Sequence, residues 1–85
     1  MKLNEENFLK ILNGNQGIVL KIVNSYCKDM EDRNDLIQEI TLQLWKSWKN
    51  YNDEYKISTW MYRVALNVAI SFYRKTSRKK TLFTH

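Results

Sequence analysis

Proline is absent from this chain of 85 residues, and glycine occurs only twice, at Gly14 and Gly17. Turn-rich β architectures use both residues at their corners, whereas helices joined by short links need neither. The apolar residues also recur at helical spacing in four separate segments. The expected fold class is therefore all-α, a compact four-helix cluster. A chain of this length buries one modest core and forms a single domain over residues 1–85. The core is expected over about residues 8–80, with a fraying tail at 81–85.

Each segment carries its own start and stop signals. Asn4 can cap a first helix, with Glu5 and Glu6 beside its positive end, Phe8, Ile11 and Leu12 as its apolar residues, and a stop near Gly14. A second helix is expected from Gln16 to Lys28, with Ile18, Val19, Ile22, Val23 and Tyr26 on one face. After "DMEDRN", Asp32 is placed to cap a third helix, with Asp35 at the capping-box acid position. That helix runs to about Lys49, and "NYNDEYK" follows as a loop. Ser58 or Thr59 can cap the fourth and longest helix.

The third and fourth helices each carry two faces. On the third, Leu36, Ile37, Ile40, Leu44 and Trp48 form a core stripe. Asp35, Gln38, Glu39, Leu42, Trp45, Lys46 and Lys49 lie away from it. An apolar pair rimmed by carboxylates and amides suits docking to another protein. Trp45 fits equally as a second core layer, so Leu42 is the better interface residue of the two. On the fourth, Met61, Val64, Ala65, Val68 and Phe72 point inward. Trp60, Arg63, Asn67, Ser71, Arg74 and Arg78 share a sector of roughly 100°. Arg supplies donors for phosphates, Asn can pair with a base edge, and Trp offers a stacking surface. Tyr51, Tyr55, Tyr62 and Tyr73 lie close by in sequence. Basic residues interleaved with aromatics favour unpaired nucleic acid over intact duplex, although Trp60 alone fits a core role equally well.

Charge follows the same division. Residues 1–44 hold five Lys/Arg against seven Asp/Glu, and residues 45–85 hold nine against two, so net charge passes from −2 to +7. The second half thus suits a polyanionic partner. One Cys (Cys27) and one His (His85) rule out an internal disulfide and a Cys/His metal site. No cofactor is expected. No apolar run reaches the ~18 residues of a membrane span, and "MKLNEENFLK" lacks the apolar core of a signal peptide. A cytoplasmic location is expected. There is no Gly-rich phosphate loop and no nucleophile–base pair, so the chain reads as a binding protein and not an enzyme.

Two stretches, "NDLIQEITLQLWKSW" and "ISTWMYRVALNVAISFYRK", closely resemble the second conserved region of bacterial sigma-70 family factors, in particular the extracytoplasmic-function (ECF) type. The family's Asp-Leu-x-Gln-Glu-x-x-Leu-x-Leu-Trp helix corresponds to Asp35, Leu36, Gln38, Glu39, Leu42, Leu44 and Trp45. Its Trp-Leu-Tyr-Arg-x-Ala-x-Asn core and trailing Arg correspond to Trp60, Met61, Tyr62, Arg63, Ala65, Asn67 and Arg74. The resemblance covers about residues 8–80 and implies a sigma region 2 type of four-helix cluster acting in transcription initiation. It implies that Asp35, Gln38, Glu39 and Leu42 dock on the clamp helices of the largest catalytic subunit of core RNA polymerase, and Trp45 is added to them from the reading of the same helix face. It also implies that Asn52, Tyr55, Lys56, Trp60, Arg63, Asn67 and Arg74 serve in melting and reading the −10 promoter element, mainly on the non-template single strand, and Ser71 and Arg78 are added to them as members of the same helical sector.

Ser71 stands where the family often carries Asp. The duplex-reading helix-turn-helix domain that follows region 2 in the family is absent, which suggests part of a longer factor. An anti-sigma factor is a further partner the resemblance implies. The competing reading is a helical protein-interaction module, degenerate or anti-sigma-binding, without DNA function. A duplex-binding helix-turn-helix regulator fits less well, because the loop before the fourth helix is too long for its tight turn.

Overall fold

The computed structural model describes residues 5–51 and 55–83, with side chains through residue 75. Four helices account for nearly all of them: α1 Glu5–Gly14, α2 Gln16–Tyr26, α3 Met30–Trp48 and α4 Ile57–Phe83. The expected all-α class and four-helix order are both observed. Asn4, expected to cap α1, lies outside the described residues.

The links are short because the helix ends are satisfied locally. Asn15 alone separates α1 from α2; its side-chain amide donates to the Ile11 carbonyl at 2.8 Å, and its N–H to the Leu12 carbonyl at 3.2 Å. Helix α2 ends at Tyr26, two residues before the expected Lys28. Cys27 turns extended there (φ −128°, ψ 134°) and is itself buried.

Helix α3 starts earlier than its sequence suggests. Asp29, not Asp32, is the N-cap: it is extended (φ −94°, ψ 158°), and its carboxylate accepts from the Asp32 N–H at 2.8 Å. The stretch carries Asp29, Asp32 and Asp35 at three-residue steps, so two capping registers fit the sequence. The early end of α2 selects the first. Replacing Asp29 by Ala is expected to cost about 1 kcal/mol, read as a lower midpoint in thermal melting followed by circular dichroism. Asp32→Ala, which removes only a first-turn carboxylate, is expected to cost less.

Helix α4 likewise opens at Ile57, ahead of Ser58 and Thr59. Both of those side chains are exposed, and the Lys56 carbonyl accepts from the Trp60 N–H at 3.0 Å. Ile57 packs against the core, so burial rather than a capping hydroxyl sets this start.

Helices α2, α3 and α4 pack against one another. Leu36, Ile40, Leu44 and Trp48 are essentially inaccessible, as the core stripe requires. Val19, Ile22 and Val23 meet them from α2, and Met61, Ala65 and Ala69 from α4. Helix α1 is anchored by Phe8, whose ring lies 5.1 Å from Trp45 and 5.8 Å from Trp48. Ala69 was not among the expected core residues because a methyl group adds little to an apolar periodicity. Small residues at Ala65 and Ala69, four apart, let α4 approach its neighbours closely. Among the described residues, no helix is long and apolar enough to cross a membrane, and no cluster of His, Cys, Asp and Glu could hold a metal ion.

Candidate functional site

The outer face of α3 is presented as its periodicity requires. Asp35, Gln38 and Glu39 are exposed, as are Lys46 and Lys49. Leu42 is 44% exposed and Trp45 40%, high values for large apolar side chains. Trp45 combines both roles open to it. Its ring meets Phe8 edge-on, at 66° between planes, while the rest faces outward. Together with Leu9 of α1 and Ile37, Trp45 and Leu42 line an apolar groove of about 450 Å³. Leu9, 49% exposed, was not singled out in the sequence; the signal for it is an apolar residue beside Phe8 but off the stripe of Ile11 and Leu12.

A second groove, of about 850 Å³, runs between α3 and α4. Asp35, Gln38, Glu39 and Leu42 contribute from α3, and Asn67, Ser71 and Lys75 from α4. The two surfaces that look separate in sequence therefore share one cleft. Lys75 was not singled out either, although it follows Asn67 and Ser71 at four-residue steps along one helical line.

The basic, aromatic stripe of α4 divides into distinct environments. At its N-terminal end Trp60 is half-buried, 5.8 Å from Trp48 and 5.2 Å from Tyr51, so most of its ring belongs to an aromatic cluster. Arg63 is exposed and places its guanidinium 4.6 Å from the centre of the Tyr55 ring, a cation–π contact across the loop. Lys56 and Arg74 are exposed. Asn67 and Ser71, also exposed, open onto the cleft with Asp35 and Glu39. Asn52 and the Arg78 side chain lie outside the described residues. The only ion pair among the described residues joins Lys10 and Glu6, so no carboxylate there neutralises Arg63, Arg74 or Lys75.

The tyrosines also separate. Tyr51 and Tyr55 lie at the loop, where Tyr51 reaches Trp60 and Tyr55 reaches Arg63. Tyr62 lines a groove with Ile18 and Tyr26 of α2, and Tyr73 meets Tyr26 edge-on at 6.1 Å. Those two belong to the α2 side of the molecule.

This order of helices, with an acid- and amide-bearing third helix beside a basic fourth, is accompanied by a direct family match. The family model for sigma-70 region 2 matches residues 11–79. The chain belongs to this family. Region 2 is a non-catalytic domain with a role in transcription initiation by sigma factors, and membership implies core RNA polymerase and promoter DNA as partners. Neither the curated proteins nor the solved structures yield a match to the chain.

Proposed function

We propose that this region 2 domain docks on core RNA polymerase through the outer face of α3 and holds unpaired promoter DNA along the loop and α4, as part of a sigma factor of the extracytoplasmic-function type working in the cytoplasm. The docking residues are Asp35, Gln38, Glu39, Leu42 and Trp45, and the partner surface is the clamp helices of the largest catalytic subunit. The DNA is the non-template strand of the −10 element. The observation that carries this reading is the shared cleft: the acidic, apolar-centred face of α3 stands beside the Asn67, Ser71 and Lys75 side of α4 on one packed core. A polymerase bound to the first is positioned to deliver DNA to the second.

The electrostatics divide the work along α4. Asp35 and Glu39 disfavour phosphates along the α3 wall of the cleft, offset only by Lys75 at its α4 side. The strand backbone is therefore best followed by Lys56, Arg63 and Arg74, which face solvent. Asn67 and Ser71, beside the carboxylates, suit uncharged base edges better than phosphates. Ser in place of the family's frequent Asp at position 71 leaves this wall one carboxylate fewer. Trp60 contributes the outer part of its ring, with the remainder committed to the aromatic cluster.

Fluorescence anisotropy with a short labelled oligonucleotide tests the strand-holding role. A single strand is expected to bind more tightly than its matched duplex. Its affinity is expected to fall with added salt at a log–log slope of about −0.7 per phosphate contacted. Arg74→Ala, at an exposed position, is expected to weaken binding and make that slope shallower by about 0.7. Equal affinity for single strand and duplex counts against melting. Negligible DNA binding at every salt concentration favours the alternative, a helical module that binds only proteins, such as an anti-sigma factor. The exposed apolar groove beside Leu9, Leu42 and Trp45 suits that alternative too.

A further inference from the structure

We infer that Tyr51 is a positioning residue of the strand-holding surface, acting through Tyr55; this rests on the nucleic-acid reading of α4 given above. Tyr51 follows directly on the end of α3, its N–H donating to the Trp48 carbonyl at 3.2 Å. Its ring is gripped by both long helices. It lies nearly parallel to Trp48, with 5.8 Å between centroids and 6° between planes, and it meets Trp60 of α4 at 5.2 Å. Held in this way, the ring aims its hydroxyl at a single target. That hydroxyl donates to the backbone carbonyl of Tyr55 at 2.6 Å, the short end of the range for such bonds.

Tyr55 is the consequential partner. It stands two residues before α4, it is 46% exposed as a residue, and its ring carries the Arg63 guanidinium at 4.6 Å. Tyr55 and Arg63 thus form a cation–π pair with an aromatic ring and a positive charge together, the combination that captures an unpaired base next to its phosphate. The Tyr51 hydroxyl pins the backbone from which the Tyr55 ring projects. It therefore preorganises the pair before DNA arrives, which lowers the ordering cost of binding. A purely structural role for Tyr51 needs the ring and not the hydroxyl. Phe would fill the space between Trp48 and Trp60 equally well, so the hydrogen bond to the loop is the feature that a core role leaves unexplained.

The test is Tyr51→Phe in the full chain, titrated by anisotropy against two labelled single strands of equal length. One strand carries bases; the other is abasic, with phosphates and sugars only. Thermal melting is measured alongside, and Arg74→Ala serves as the backbone-contact control. The inference expects Tyr51→Phe to weaken binding of the base-bearing strand about three- to tenfold, leave the abasic strand unchanged and keep the melting midpoint near that of the parent. Arg74→Ala is expected to weaken both strands. Parent-like binding of the base-bearing strand by Tyr51→Phe, with Arg74→Ala still weakened, overturns this inference and leaves the DNA reading standing. Equal weakening on both strands with a lowered midpoint also overturns it, since that is the signature of a merely structural residue. No preference of the parent chain for the base-bearing strand overturns the DNA reading, and this inference with it.

Discussion

Replacing Leu42 by Arg, or Glu39 by Lys, is expected to abolish capture of core RNA polymerase in a pull-down while leaving the fold intact. Leu42 is 44% exposed and Glu39 is exposed, so neither substitution disturbs the core made by Leu36, Ile40 and Leu44. Exposed changes of this kind usually move stability by less than about 0.5 kcal/mol. At a docking face they act differently. Leu42→Arg puts a charge into the apolar centre of the patch, and Glu39→Lys reverses the sign of its rim. Losses at interface hot spots are about 2 kcal/mol or more, which is roughly thirtyfold in affinity. Helical circular dichroism and the melting midpoint of both variants should match the parent. If both variants still capture polymerase, the docking assignment of the α3 outer face is wrong.

The largest effect on stability is expected at Trp48. It is 1% exposed and joins three elements: it contacts Phe8 of α1 at 5.8 Å, Trp60 of α4 at 5.8 Å and Tyr51 in parallel stacking. Truncating a buried Trp to Ala costs about 3–5 kcal/mol. A domain of this size typically has a total stability of about 4–13 kcal/mol, so Trp48→Ala removes much of it. At about 4–8 °C per kcal/mol for small domains, the melting midpoint is expected to fall by more than about 12 °C. Trp48→Phe is a sharper probe. The indole Nε1 of Trp48 is buried with no hydrogen-bond partner among the described residues, and such an orphan donor carries a desolvation cost of about 1–3 kcal/mol. Phe keeps a ring between Phe8, Tyr51 and Trp60 and removes that donor. Its net cost is therefore expected to be well below that of Ala, and denaturant melts of the two variants separate the packing and polar contributions. Equal destabilisation by Phe and Ala would show that indole volume alone governs this site.

Much of the architecture was legible in the linear pattern. Residues 36, 40, 44 and 48 repeat every four positions, and burying that stripe is the dominant favourable term available to such a segment. The acid and amide positions on the opposite face of α3 were legible for the same geometric reason. Helix starts were less so. Asp29, Asp32 and Asp35 offer equivalent caps locally, and only the end of α2 decides between them. Ile57 begins α4 ahead of two good capping residues because its side chain packs against the core, a contact invisible in the local sequence.

The candidate site was legible by residue type and only in part by arrangement. Periodicity put Trp60, Arg63, Asn67, Ser71 and Arg74 on one sector of α4, and all of these but Trp60 are exposed there. Periodicity describes a helix in isolation, however, and environments come from neighbours. Packing against Trp48 and Tyr51 makes Trp60 half core. The loop makes Arg63 a partner of Tyr55. The proximity of α3 turns Asn67 and Ser71 into the wall of a cleft that also holds Asp35 and Glu39.

The sequence by itself determined the helical class, the order of four helices, the core stripes and the opposite charges of the two halves. All of these follow from short-range spacing along a helix and from composition. Only the tertiary structure decided that the acidic face of α3 shares a cleft with Asn67, Ser71 and Lys75 of α4, that Leu9 extends the apolar patch and that the Tyr51 hydroxyl ties the loop to the aromatic cluster. Each of those depends on the angle and separation at which one helix meets another, and those are set by the fit of buried side chains such as Phe8, Trp48 and Ala69 across the interface.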